Sequence, residues 1–317
     1  PVVERGFGKP VEKNELGGSQ IHAHQSGAVD NEVESEEEAF VAIKQFLSYL
    51  PQNVWHLPPI ADCSDSVDRR DESLLAVIPR NRREMYEIRD IISSVADVDS
   101  FFEISPGYGR SLCVGLTRLD GHPVGIMAND TQHHGGAVNA SASEKMMRFV
   151  DLCDTFHLPV VNLVDNPGFL IGTEAEQEGT VRLGSRALMA VYQSSIPWVS
   201  VIVRRCYGVA GAGHGKTDGL NLRYAWPSAD WGSLPIEGGV QAAYRRDIEA
   251  AENPDARRRE LEDMLEQYRS PLRTAEAFGI EEVIDPRDTR SLLCDWVKLA
   301  YEILPSQLGP KARTPRP

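Results

Sequence analysis

Hydrophobic and polar positions fall into four successive rhythms along this chain. Residues 35–50 open with Ser35 and three glutamates and continue with Phe40, Ile43, Phe46, Leu47 and Leu50. Acid at the start and apolar residues at i, i+3 and i+4 spacing predict an amphipathic helix. The stretch before it, ELGGSQIHAHQSGAVD, mixes glycine with two histidines. Residues 51–83 carry Pro51, Pro58, Pro59 and Pro79 among scattered charges and hold no sustained period, which reads as a linker and a domain boundary. From 84 to 225 the pattern alternates in the α/β manner. Residues 112–119 and 123–128 read as strands around an Asp120-Gly121 turn, and 141–156 as a helix with Ser141 and Glu144 at capping-box spacing. The short apolar run 160–165 suits a buried parallel strand. Residues 181–195 read as a helix and 198–203 as the next strand. Beyond 226, Gly- and Pro-rich loops precede a charged helix over roughly 254–268 and a last helix over 291–303, and 306–317 reads as a disordered tail. There is no internal repeat. The fold class predicted is α/β.

One stretch breaks the rhythm in a way that bears on chemistry. In VIVRRCYGVAGAGHG (201–215) a β-branched run ends at Tyr207-Gly208 and passes into Val209, Ala210, Gly211, Ala212 and Gly213. A strand that runs into small residues lets bare backbone N–H groups approach a ligand closely. A helix starting there adds the partial positive charge of its N-terminus. That is how a fold builds an oxyanion hole without a titratable side chain. The candidate donors are the N–H groups of Val209 and Ala210, flanked by Gly208 and Gly211. The competing reading is a glycine-rich turn that only brings a helix close to a strand.

Other candidates sit in loops. Asp165-Asn166-Pro167-Gly168-Phe169 follows a predicted buried strand, where α/β folds place ligand loops. Phe169 and Leu170 are candidates for lining a pocket there, and a rigid Pro-Gly turn anchoring the next helix is an equal reading. Gly135-Gly136-Ala137 precedes the capped helix and offers close backbone approach to a ligand, with a plain turn the simpler reading. Lys145 and Arg148 share a helix face at i, i+3. They suit a phosphate or carboxylate, though a solvated or subunit-contacting face is the plainer expectation. His133, His134 and His214 match no zinc spacing and no metal is expected. Trp226 and Trp231 flank Pro227 in a loop expected against the core or at an interface.

Composition narrows the picture. With 41% hydrophobic and 25% charged residues, the 317-residue chain is ordinary globular material for one large domain, or one plus part of a second. A formal net charge of −14 argues against a nucleic-acid binder while leaving room for local basic patches. Five cysteines, an odd count with no CxxC, read as reduced thiols in a cytoplasmic compartment, or the mitochondrial matrix in a eukaryote. No apolar run approaches the roughly 18 residues that span a bilayer, so no membrane partner is expected. The first residues, PVVERGFGKP, show no signal-peptide pattern, and a chain beginning with Pro reads as a fragment or a processed product.

Three stretches, 135–176, 199–215 and 224–245, go beyond fold class. Ala142-Ser143-Glu144-Lys145-Met146-Met147-Arg148-Phe149 fits the helix pattern A-S-x-K-x-x-R-F. Val164 to Phe169 fits V-D-x-P-G-F, and Tyr224-Ala225-Trp226-Pro227 fits a Tyr-Ala-Trp-Pro signature. Together they resemble the carboxyltransferase (β) component of biotin-dependent acyl-CoA carboxylases, of the propionyl-CoA carboxylase β-subunit kind. The likeness spans roughly 84–300, within an expected C-terminal, biotin-side domain over 84–305. Residues 1–50 resemble the end of the family's N-terminal half.

The resemblance implies a crotonase-like (ClpP/crotonase) ββα spiral. It implies transfer of a carboxylate from carboxybiotin to the α-carbon of a short or branched, propionyl-CoA-like acyl-CoA. The biotin is carried on a separate biotin carboxyl carrier protein and charged by a biotin carboxylase subunit. Two backbone oxyanion holes are implied, one in the N-terminal half for the thioester oxygen and one in the C-terminal half for the biotin ureido oxygen. On this chain the second falls on Val209 and Ala210, with Gly135, Gly136, Pro167, Gly168, Phe169 and Leu170 near biotin. Acyl-chain length is tuned near Gly211-Ala212, where small residues admit a larger chain. Active sites form between halves of different subunits, so a homo- or hetero-oligomer is implied. The freed biotin nitrogen can take the α-proton, so no side-chain base is required.

The chain departs from the pattern in two ways. The bulk of the N-terminal half is absent, so the chain is a fragment or a separate subunit supplies that half. Val209 replaces a second glycine in the family's Tyr-Gly-Gly-Ala turn, which keeps the N–H but adds bulk. Two other readings remain open: a biotin-dependent acyl-CoA decarboxylase subunit, and a non-catalytic assembly subunit with the same fold.

Overall fold

Residues 2–215, 218–266 and 268–312 are described by a computed structural model of the chain. Its frame is one mixed sheet: β1 (Phe102–Ile104), β2 (Leu112–Leu119), β3 (His122–Asn129), β4 (Val160–Asn166), β5 (Trp198–Tyr207), β6 (Asn221–Ala225), β7 (Asp230–Gly232) and β8 (Glu282–Val283). The order is β1-β2-β3-β4-β5-β6-β8, with β7 paired to the far end of β5. The first three strands are antiparallel and the rest join in parallel. Asp120 and Gly121 take φ of 49° and 78°, so the β2–β3 hairpin closes on a turn with two positive φ values, whose twist matches that of its strands.

Seven helices matter to the argument: α1 (Glu36–Ser48), α2 (Ile88–Val95), α3 (Ala140–Thr155), α4 (Thr180–Gln193), α5 (Gly208–Ala212), α6 (Pro254–Glu266) and α7 (Thr289–Ile303). They cover both faces of the sheet because successive strand residues point to opposite sides. On one face Cys113, Ile126, Val161, Leu163 and Val201 pack with Ile88, Ile91 and Ile92 of α2 and Leu293 and Trp296 of α7. On the other, Leu112, Val114, Val160 and Trp198 pack with Met146, Phe149 and Val150 of α3 and Ala187 and Val191 of α4. Covered on both sides, β4 is buried along its whole length, as its short, mostly apolar run predicts.

Several expectations need correction. Helix α3 starts one residue early and is capped by Asn139, whose side chain accepts from the Ala142 N–H at 3.0 Å. Asparagine caps at least as well as serine, and Glu144 is drawn away to the Tyr108 hydroxyl at 2.6 Å, so no Ser141–Glu144 box forms. Helix α1 forms as expected and is capped by Ser35. Its apolar stripe is divided, however: Phe46 and Leu50 pack on the core while Phe40, Ile43 and Leu47 stay more than half exposed. Residues 51–83 contain only a short 3-10 turn, Glu72–Leu75, but they lie along the domain, with Leu57, Leu74, Val77 and Ile78 against the core. The buried Arg290 guanidinium of α7 bridges this segment at the Ser66 carbonyl, 2.9 Å, to Asp97 at 2.8 Å. Where a disordered tail was expected from 306, the chain stays docked as far as 312. The Gly309 N–H donates to the Val54 carbonyl (2.8 Å), and Lys311 Nζ to Ser195 Oγ (2.6 Å). The remainder of that tail, 313–317, lies outside the described residues.

Candidate functional site

β5 leaves the sheet at Tyr207, and Gly208 turns the chain at φ +63°, a value that glycine adopts without strain. The five-residue α5 starts at once. Val209 at its first turn is 68% exposed, while Ala210 is buried. First-turn N–H groups have no partner within their own helix. The neighbouring glycines do something else. A Cβ on Gly211 would lie 2.9 Å from the Cys206 carbonyl carbon, and one on Gly213 would strike Leu188 of α4. They are therefore small for packing. A cavity of about 490 Å³ opens beside the turn, lined in part by Gly208, Gly211, Ala212, His214 and Trp231.

The start of this turn is held by charge. Asp230 on β7 is fully buried; it accepts from the Tyr207 hydroxyl and from Arg82 of the 51–83 segment, and it forms an ion pair with Arg269, whose Nε lies 3.0 Å away. Burial, and then Asp230 itself, push the Tyr207 phenol well above its ordinary pKa, so it remains a donor.

A second hub lies at the end of β4. The fully buried Asp165 carboxylate accepts from Arg204 Nε (2.8 Å), Arg205 Nε (2.6 Å), the Arg205 N–H (3.1 Å) and the Tyr86 hydroxyl (3.0 Å). Arg205 also reaches the Gly135 carbonyl at 2.7 Å. One carboxylate thus ties the end of β4, the end of β5 and the Gly135–Gly136 turn together. The turn is itself contorted: His134, Gly135 and Gly136 take φ of 50°, 61° and 85°. Next to it the two candidate loops are stitched in parallel, Val138 N–H to the Gly168 carbonyl (3.1 Å) and Leu170 N–H to the Val138 carbonyl (2.9 Å). Pro167, Gly168, Phe169 and Leu170 are half-buried, and the Phe169 ring lies against Gly184 of α4, where a Cβ would come within 2.4 Å of it.

Helix α4 joins the two halves of the site. Gly184 meets Phe169, Leu188 meets Gly213, and the Tyr192 hydroxyl donates to the Ala212 carbonyl at 2.8 Å. At four-residue spacing these lie on one face, spanning about 12 Å. The sequence-predicted residues are therefore brought together in two adjoining groups, 135–136 with 167–170, and 208–212.

Other candidates fall elsewhere. Lys145 is buried, not solvated: its Nζ donates to the Ser105 and Tyr108 carbonyls at 2.8 and 2.9 Å, and burial brings its pKa down to about 8. Arg148 donates to the Gly27 carbonyl (2.8 Å) and pairs with Asp30, pinning the N-terminal segment. Trp226 is buried, with Nε1 on Thr289 Oγ1 at 2.9 Å. His214 is buried between the amides of Asn162 and Asn166, 2.9 and 2.7 Å from its two ring nitrogens. The charged hubs were missed by sequence reasoning, yet they left a signal: Asp165 closes one apolar run and Arg204-Arg205 interrupts another.

A family model described as the carboxyl transferase domain matches residues 1–308. The chain is 38% identical over 294 residues to the propionyl-CoA carboxylase carboxyltransferase subunit of Haloferax mediterranei, covering 92% of this chain and 57% of the relative. It is 32% identical to the methylmalonyl-CoA decarboxylase subunit alpha of Veillonella parvula, covering 91% and 56%. A transcarboxylase 12S crystal structure, solved as a hexamer with methylmalonyl-CoA and methylmalonic acid bound, superposes with a TM-score of 0.89 at 31% identity, covering all of this chain and 59% of that one. The chain thus spans somewhat more than half the length of the relatives it matches. The α/β frame is the crotonase-like fold expected from the sequence. By sequence and by fold alike, this chain belongs to the carboxyl transferase domain family.

Proposed function

We propose that this chain is the biotin-side portion of a biotin-dependent acyl-CoA carboxyltransferase. The carrying observation is the exposed first turn of α5, entered through Gly208 and adjoined by the stitched loops at 135–138 and 167–170. The N–H groups of Val209 and Ala210 serve as the donors to a biotin ureido oxygen. A side chain on Gly135 or Gly168 would meet nothing within 4 Å, so the backbone there faces open space, as a ring lying along it requires. Bound there, carboxybiotin supplies the carboxylate. The chain supplies fixed N–H dipoles where negative charge develops, which need no reorganisation during the reaction. Phe169 and Leu170 form the apolar wall, with Pro167 and Gly168 holding its backbone. The half-buried position of Phe169 against Gly184 supports that role.

The acceptor is a short or branched acyl-CoA of the propionyl-CoA kind, with the small, exposed Ala212 leaving room near the acyl chain. The carboxyl donor rides on a separate carrier protein loaded by a biotin carboxylase, and an oligomer completes the site. Similarity to a decarboxylase subunit supports a second reading, in which the carboxylate runs from acyl-CoA to biotin through the same donors.

Val209→Pro tests the donors. Proline fits the first turn of a helix and deletes one N–H. Biotin-dependent decarboxylation of methylmalonyl-CoA by the assembled enzyme is expected to fall ~10²–10³-fold in kcat, the usual loss for one oxyanion donor. Undiminished turnover in the folded variant removes Val209 from the role.

A further inference from the structure

His214 is a buried titratable group that the reaction does not use, and its surroundings specify one protonation state. The Asn166 side chain is oriented by the Gly168 N–H, which donates to its Oδ1 at 2.9 Å. Its Nδ2 therefore points at His214 Nε2, 2.7 Å away, and donates. A nitrogen that accepts carries no proton, so the imidazole proton sits on Nδ1. The group facing Nδ1 at 2.9 Å is the Asn162 amide, whose oxygen is otherwise buried without a partner. Amide oxygen and nitrogen are interchangeable in assignment, and only oxygen can take this proton. The chain of donors is Gly168 N–H to Asn166, Asn166 to His214, and His214 to Asn162.

The backbone of His214 is held as well. Its carbonyl accepts from Ser200 Oγ on β5, which in turn accepts from Trp198 Nε1 at 3.0 Å. The preceding segment packs through Gly211 on Cys206 and through Gly213 on Leu188, but it is poor in side chains that could fix it. Gly208, Gly211 and Gly213 carry no side chain, and glycine loses more conformational freedom on ordering than any other residue. The start of α5 is fixed through Tyr207 and Asp230, and its end through Tyr192 and His214.

We infer that His214 is a positioning residue: as a neutral Nδ1–H imidazole clamped between Asn162 and Asn166, it sets the register of the Gly208–Ala212 turn against the Asn166–Leu170 loop. The inference rests on the proposed donor role of that turn. Burial agrees with the neutral state, bringing the ring pKa down to about 4. The titratable and charged side chains lining the cavity that reaches the ring are Tyr192, Cys206 and Arg223. None of them is an anion that would hold an imidazolium.

Three variants of the assembled enzyme test this, assayed by biotin-dependent methylmalonyl-CoA decarboxylation beside wild type. His214→Ala removes the clamp; kcat is expected to fall ~10²-fold, as when a remote change displaces reacting groups by about 1 Å, with KM for the acyl-CoA unchanged. His214→Gln, which can offer Asn166 an acceptor oxygen, is expected to recover part of that loss. Asn166→Asp keeps the acceptor for Gly168 but places an acceptor, not a donor, against Nε2. The ring must then carry a proton there, and the kcat profile is expected to gain a titration between pH 5 and 8 that wild type lacks. If a folded His214→Ala enzyme keeps wild-type kcat, or Asn166→Asp leaves the pH profile unmoved, the inference is overturned. Should His214→Ala fail to fold, the Asn166→Asp profile decides by itself. Val209→Pro run alongside separates the two claims: full activity there sinks the donor role, whereas loss there with none in His214→Ala sinks only the positioning role.

Discussion

Asp165→Asn is the most direct probe of how the site is held. The substitution keeps the shape of the side chain and removes its charge. Arg204 and Arg205, with side chains only 4% and 18% exposed, then lose their shared counter-charge. Breaking a buried pair from one side costs about 3–5 kcal/mol, because the remaining charge is left uncompensated. Asparagine retains one acceptor oxygen, and Arg204 keeps the Glu84 carbonyl at 2.9 Å, which places the expected loss near the lower end, about 3 kcal/mol. The control is Glu249→Gln. Its partner Arg245 is 72% exposed and Glu249 59%, so that pair is screened by water and contributes little to stability. Urea unfolding followed by tryptophan fluorescence, with the buried Trp226 as a reporter, compares the two. At a slope of about 3 kcal/mol/M the midpoint should move by about 1 M for Asp165→Asn and hardly at all for the control. A midpoint shift for Asp165→Asn no larger than that of the control would refute the hub as a stabilising centre.

The other tests read single features of the same site. Gly136→Ala combines φ +85° with a Cβ 2.7 Å from the Asp165 carbonyl oxygen, whereas Gly135→Ala combines φ +61° with open space. Thermal unfolding should therefore show the first losing clearly more than the ~1 kcal/mol expected of the second, and equal losses would remove the contact with Asp165 as a cause. Gly184→Ala should displace the Phe169 ring and lower biotin-dependent turnover; adding Phe169→Ala should restore the stability lost, and no restoration would show that the ring is not what Gly184 accommodates. His214 has a folded-state pKa of about 4, below its unfolded value of about 6.5, so the unfolded chain binds the extra proton between them. Stability should thus be complete above pH 6.5 and decline by up to about 3 kcal/mol as pH falls toward 4, a slope that His214→Asn should reduce in denaturation curves taken across that window.

Local pattern was enough to read much of this protein. The apolar run at 160–165, the hairpin at Asp120-Gly121 and the glycine-rich break after Tyr207 are local features, each set by side-chain period or by a backbone value that one residue type adopts freely. The same residues, read as a family signature, pointed to the carboxyl transferase domain. Contacts across large sequence separations were beyond that reading. Lys145 reads as a surface cation because its helix face is mixed, yet the carbonyls of Ser105 and Tyr108, contributed by the loop after β1, bury it. The apolar stripe of α1 does not say which of its residues will find a partner, and only Phe46 and Leu50 do. Asp165 meets Arg204 and Arg205 because β4 and β5 pair in parallel and end side by side, and His214 reaches Asn162 and Asn166 only after α5 folds back beside β4. Sequence alone determined the central strands β2 to β5, the helices α1, α3, α4, α6 and α7, the two loops and the family. The tertiary structure decided which charges are buried and which loops adjoin, because burial and pairing follow from strand order and helix packing, which no local pattern encodes.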